Sequence, residues 1–161
     1  LNYTFFRTYL PTTRFVSCLI VCVLGLSTHR SVGQDPTIYV SPHNIDQTLS
    51  NVYVGIDRNS HKYINTLYYQ ADSTGIGEFV GSVYVVEFSM DHIEDLVSCE
   101  PTVAFDLPLK IMIWEEQGDV YLSYVNPFVF KRRYFIKGCD ELLDQVNKAM
   151  IRIVNDAIRT N

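Results

Sequence analysis

The sequence predicts an α+β domain: an antiparallel sheet with helices on one face, ordered strand, helix, four strands, helix, with a small helix inserted among the strands. Three observations predict it. Residues 109–125 ("LKIMIWEEQGDVYLSYV") alternate in polarity around a glycine, as a hairpin does. Residues 139–161 carry an apolar stripe with a helical period. The strands in between succeed one another, as they do in an antiparallel sheet covered on one side.

The elements follow in order. "TIYV" at 37–40 reads as a short first strand. "SP" at Ser41 and Pro42 reads as a helix start, because Ser caps and Pro is tolerated in the first turn. Ile45, Leu49, Val52 and Ile56 then recur at spacings that place them on one helical stripe. The β-branched content of "VYVGI" and the poor helix residue Gly55 argue for a strand there instead; the stripe favours a helix.

"KYINTLYYQ" at 62–70 and "SVYVVEFS" at 82–89 are rich in aromatic and branched residues, and read as strands. The glycine-rich segment 71–81 joins them as a loop. Residues 90–101 form a short helix that directs Ile93, Leu96 and Val97 inward and stops at Pro101. In the hairpin, Gly118 supplies the positive φ of a tight turn. Val120, Leu122 and Tyr124 share one face, and Tyr121, Ser123 and Val125 the other, until Asn126-Pro127 stops the strand. In the last helix, Asp140 and Glu141 sit at the positive end. Its stripe is Leu142, Leu143, Val146, Met150, Ile153, Val154 and Ile158.

Residues 1–33 differ from the rest. They hold no Asp or Glu, begin with Arg7 and Arg14, and contain a 12-residue apolar run at 15–26. A membrane-spanning helix needs about 20 such residues. The segment reads as a secretory signal peptide cut near Gly33, or as an uncleaved anchor, which would be the one membrane contact. The remaining residues 34–161 read as a single domain that is exported: periplasmic, secreted or held at the outer face of a membrane. That part carries 10 basic and 18 acidic residues, a net charge of −8, which disfavours nucleic-acid partners. The one basic run, Lys131 to Arg133, is too short to reverse this and reads as a solvated helix face.

Removing the leader removes Cys18 and Cys22 and leaves Cys99 and Cys139. In an oxidising compartment these two are a possible disulfide; they read equally well as two small buried side chains.

The stretch "CEPTVAFDLPLKIMIWEEQGDVYLSYVNP" at 99–127 resembles the signature of the bacterial and archaeal family called domain of unknown function 302. The matching positions are Glu100, Pro101, Asp106, Leu107, Pro108, Leu109, Lys110, Trp114, Glu115, Gly118, Val120, Ser123, Tyr124 and Pro127. The resemblance implies a TATA-binding-protein-like α+β fold, in agreement with the order above, and it implies no settled activity. Two departures stand out. The family's Asn-Asp-Pro corner reads Val125-Asn126-Pro127, and its downstream Arg-His reads Arg133-Tyr134, so no role resting on that histidine carries over.

Asp106 and Lys110, four residues apart, fall on one side of an extended strand, where a buried pair would perturb both groups and mark a site. The plainer reading is structural, with Asp106 binding backbone N–H groups at the strand entry. Trp114, Tyr124 and Asn126 complete the candidate ligand-binding set. Glu115 joins Asp106, Lys110 and Tyr124 in an alternative enzyme or metal-binding reading. Glu115 and Glu116 point to opposite faces, a poor acid–base pair, and Ser123 lacks a nucleophile-elbow context. Asp91, His92 and Glu94 lack metal-ligand spacing, so no metal, cofactor or catalytic residue is assigned.

Aromatic residues make up 13% of the chain, and alternation must place some of them on the sheet face away from the helices. The expectation is a small, non-catalytic domain. It acts through that face, by forming a homodimer or by binding a small apolar ligand.

Overall fold

The structure is a computed structural model, and it describes residues 36–71, 79 and 81–159. The expected leader at 1–33 and most of the expected loop at 71–81 lie outside the described residues. The elements are β1 (Thr37–Ser41), α1 (Ile45–Arg58), β2 (Lys62–Ala71), β3 (Gly81–Ser89), α2 (Ile93–Cys99), a 3-10 helix (Pro101–Asp106), β4 (Leu109–Glu116), β5 (Asp119–Tyr124), α3 (Phe128–Arg133) and α4 (Asp140–Ile158). The five strands form one sheet in the order β1-β5-β4-β3-β2, with every pair antiparallel. The α+β class and the strand and helix order are therefore as the sequence predicts.

Register assigns the faces. Phe88, Leu109, Ile111, Ile113, Leu122 and Tyr124 meet across β3, β4 and β5 on one side, all of them buried. Against them lie the stripes of α1 (Val52, Ile56) and α4 (Leu143, Val146, Met150, Ile153). Burying each of these side chains contributes about 1.5–3 kcal/mol. The hairpin turn has Gln117 at φ 56° and Gly118 at φ 90° between the paired residues Glu116 and Asp119. Positive φ at both centres is the two-residue turn whose twist matches the flanking strands.

Two local expectations are corrected, and a third is borne out. The first helix does not begin at Ser41-Pro42: Ser41 ends β1, and Asn44 caps α1, its Oδ1 accepting from the Gln47 N–H at 2.9 Å. Ser41 is drawn inward because its hydroxyl is 2.7 Å from that of the buried Thr48. The segment 101–106 is a 3-10 helix rather than a strand entry. Pro101 opens it, while Glu100 accepts from the Thr102 hydroxyl at 2.6 Å and from the Thr102 N–H at 3.1 Å. Pro108 has no N–H for a ladder, so β4 starts only at Leu109. The span after Pro127 forms α3, started by the Asn126 side chain accepting from the Phe128 N–H at 2.9 Å.

Gly55 explains why a poor helix former sits inside α1. A Cβ there would lie 3.2 Å from the Ile153 carbonyl oxygen and 3.3 Å from its Cγ2, so α1 crosses α4 at this residue. Cys99, at the end of α2, is disulfide-bonded to Cys139, the cap of α4, with Cα atoms 6.7 Å apart. The sequence left this pairing open because 40 residues of separation say nothing about distance in space.

Two outcomes follow from these contacts. Gly55→Leu should lower stability by about 2–3 kcal/mol, the cost of overpacking a closed contact, read as a lower urea midpoint with unchanged slope. Replacing Cys99 and Cys139 by Ser should cost about 4 kcal/mol on the loop-entropy account of a ring this long, read under oxidising conditions as a lower urea midpoint with a steeper slope, because the unfolded chain freed of its ring exposes more surface.

Candidate functional site

The candidate residues do not converge on one point. Asp106 ends the 3-10 helix and Lys110 is the second residue of β4, so they do not share a strand and do not pair with each other. The Asp106 carboxylate accepts from the Arg133 guanidinium of α3. This contact raises the Arg133 pKa above its ordinary value. The Tyr134 phenol is shifted up as well, first by burial and then by its hydrogen bond with Asp106. Tyr134 thus meets the same carboxylate as Arg133. Lys110 donates to the Pro108 carbonyl at 2.9 Å and stands 3.7 Å from Glu87, its neighbour on β3.

The other candidates separate by strand parity. Tyr124 points under the helices, where its ring stacks on Tyr39 at 6.2 Å and its hydroxyl donates to Asn147 at 3.4 Å. Burial first, then Tyr39, pushes its phenol far above the ordinary value. Trp114 points the opposite way and stacks on Tyr121 at 5.3 Å. Glu115 lies exposed near the hairpin turn, and Asn126 is spent on starting α3.

Asp106 and Lys110 nevertheless line one cavity of about 200 Å³, at the end of the sheet where β4 begins and β5 ends. Leu109, Phe130 and Met150 are its buried floor, and Phe105 and Val125 are exposed at its rim. Sequence reading missed Phe105, Phe130, Arg133 and Met150 as neighbours of the "DLPLK" motif. Only the tertiary fold carries α3 and α4 to that motif.

The sheet face away from the helices is apolar. Ile38, Val40, Tyr69 and Met112 are exposed on it, and Leu67, Val83, Val85, Trp114 and Tyr121 are half-buried. The aromatics divide unevenly: Tyr63, Tyr68, Tyr84 and Phe88 lie on the helix side, so the open face is more aliphatic than composition suggested.

A second, polar cleft of about 250 Å³ is lined by Asn59, His61, Met90, Asp91, His92, Gln145, Ala149 and Arg152. His61 stacks on Phe88 at 6.2 Å, and neither ring nitrogen has a hydrogen-bond partner. His92 pairs with Asp95 at 3.5 Å. Among the described residues, no group of three or more His, Cys, Asp or Glu is placed to hold a metal. None of their helices is long and apolar enough to cross a membrane.

A five-stranded antiparallel sheet backed by helices on one face, with a charged 3-10 corner at one end, defines a small α+β domain. The chain belongs to the family described as Domain of unknown function DUF302, which matches residues 73–156. In fold it is similar to the crystal structure of an uncharacterized conserved DUF302 protein from Bacillus stearothermophilus. The two agree with a TM-score of 0.68 at 12% sequence identity, over 77% of this chain and 98% of that one. None of the curated proteins matches the chain.

Burial lowers the His61 pKa from 6.5, with Asp91 opposing the shift and Arg152 and His92 adding to it. In the unfolded chain the imidazole therefore protonates first as pH falls. The native state should lose stability progressively from pH 6.5 down to the folded-state pKa, with no further loss from this group below it. Urea midpoints measured across that range should fall in the wild type, and fall less in His61→Phe. Equal slopes in the two proteins would contradict this account.

Proposed function

We propose that this is an exported binding domain without catalytic machinery, and that its open sheet face joins a second copy of the same chain. The observation that carries this reading is the run of exposed Ile38, Val40, Met112 and Tyr69 on the face opposite α1 and α4. Five strands of 5, 10, 9, 8 and 6 residues, about 4.8 Å apart and rising about 3.3 Å per residue, give a flat area of about 600 Å². Side-chain relief brings this toward the roughly 800 Å² that each partner of a standard interface buries. Glu87 and Lys110 stand 3.7 Å apart on this face, so their opposite charges offset each other although the ammonium keeps free donors. A twofold axis would set the patch against its own copy, which is self-complementary by symmetry.

Two features support the rest of the reading. The acid-free leader with its short apolar run and the Cys99–Cys139 bond both fit an oxidising compartment outside the cytoplasm. The candidate acid–base residues do not gather at one point: Asp106 holds Arg133, Tyr124 is enclosed beside Tyr39, and Glu115 stands apart from both.

The test is expression of the full chain in an export-competent host, with intact mass and light-scattering mass of the recovered product. The expected product lacks about the first 33 residues, the length of the leader read from the sequence, and has twice the monomer mass. Met112→Glu and Val40→Glu should give monomers that melt within a few degrees of the wild-type subunit. A wild-type product that stays monomeric at high micromolar concentration overturns the dimer, and retention of the leader in the cytoplasm overturns export.

A further inference from the structure

We infer that the cavity at the 3-10 corner is a binding site for a small monocarboxylate with an apolar body. The inference does not rest on the sheet-face dimer: the cavity opens at the sheet's end, and of its β4 residues only Lys110 also belongs to the open face.

Shape gives the body. The cavity measures about 200 Å³, below the roughly 300–1,000 Å³ of pockets for drug-sized molecules. Its floor is Leu109, Phe130 and Met150, each at most 3% exposed, so no water-seeking group meets a ligand at depth. The rim holds Phe105, whose side chain is 86% exposed although it forms a wall of the cavity. An occupant would cover that ring and remove its apolar surface from water.

Charge gives the head group. Three charged side chains line the mouth: Asp106, Lys110 and Arg133. The single acid is already engaged by Arg133 and by the Tyr134 hydroxyl. The Lys110 ammonium has three donors; one is spent on the Pro108 carbonyl, and Glu87 stands beyond hydrogen-bond length at 3.7 Å. Arg133 has five donors and directs one nitrogen at Asp106. Two of the three charged groups at the mouth are cations with donors left, which a carboxylate matches, whereas an ammonium ligand would meet two like charges.

The experiment is titration of the isotope-labelled full chain with hexanoate, hexan-1-ol and hexylamine, followed by amide chemical shifts. Hexanoate is expected to move the amides of Phe105, Leu109, Lys110, Val125 and Arg133 and to bind more tightly than the alcohol, with the amine weakest. Lys110→Met should weaken hexanoate by about tenfold, the worth of one hydrogen bond to a charged group, and leave hexan-1-ol unchanged. Phe105→Ala should weaken hexanoate and hexan-1-ol alike without disturbing the fold, because that ring is exposed. No shifts in this cavity at millimolar hexanoate, an alcohol or amine that binds as tightly as the acid, or Lys110→Met with wild-type affinity would each overturn the assignment.

Discussion

The fold rests on the crossing of two helices over one sheet face. α1 and α4 touch backbone to backbone at Gly55 and Ile153, and beneath them run the inward residues of β3, β4 and β5. That contact sets how deeply both helices sit, and so which strand residues are enclosed. It also leaves the two faces of the sheet in opposite conditions. One is sealed by side chains such as Val52, Val146 and Ile153, all fully buried, while the other keeps Ile38 and Val40 more than half exposed. The open face and the corner cavity are both placed by that asymmetry.

Most of this arrangement was legible in the residues. Alternation along 109–125 assigns each side chain to its face, because the period of a strand is two and leaves no freedom once one residue is placed. The stripes at Ile45, Leu49, Val52 and Ile56, and from Leu142 to Ile158, identify the helices that close over the inner face. Resemblance to a family signature and the element order point to the same class, and agreement between independent levels makes such a reading firm.

The corner from 99 to 110 was less legible for a physical reason. Whether Pro101-to-Asp106 extends or coils depends on a local capping competition, in which Glu100 satisfies the Thr102 N–H and hydroxyl. Once the segment coils, Asp106 turns toward α3 instead of lying along the strand with Lys110. Its partner Arg133 is 27 residues away, as Cys139 is 40 residues from Cys99. Neither distance in sequence carries a signal. The helix start was misplaced for a similar reason: Ser41 and Asn44 are both good caps, and the buried Thr48 hydroxyl decides between them.

The bond between Cys99 and Cys139 has a topological result. It closes a covalent ring that contains the 3-10 helix, both strands of the central hairpin and α3. The hairpin turn at Gln117 and Gly118, both exposed, lies within that ring and is a loop tip of the kind proteases nick. A single cut there leaves the polypeptide in one piece, held at the cystine, with β1 to β3 and α4 still able to grip the severed strands. A nick at that bend would therefore release no fragment, a useful property for any domain that works where proteases are abundant and chaperones are not.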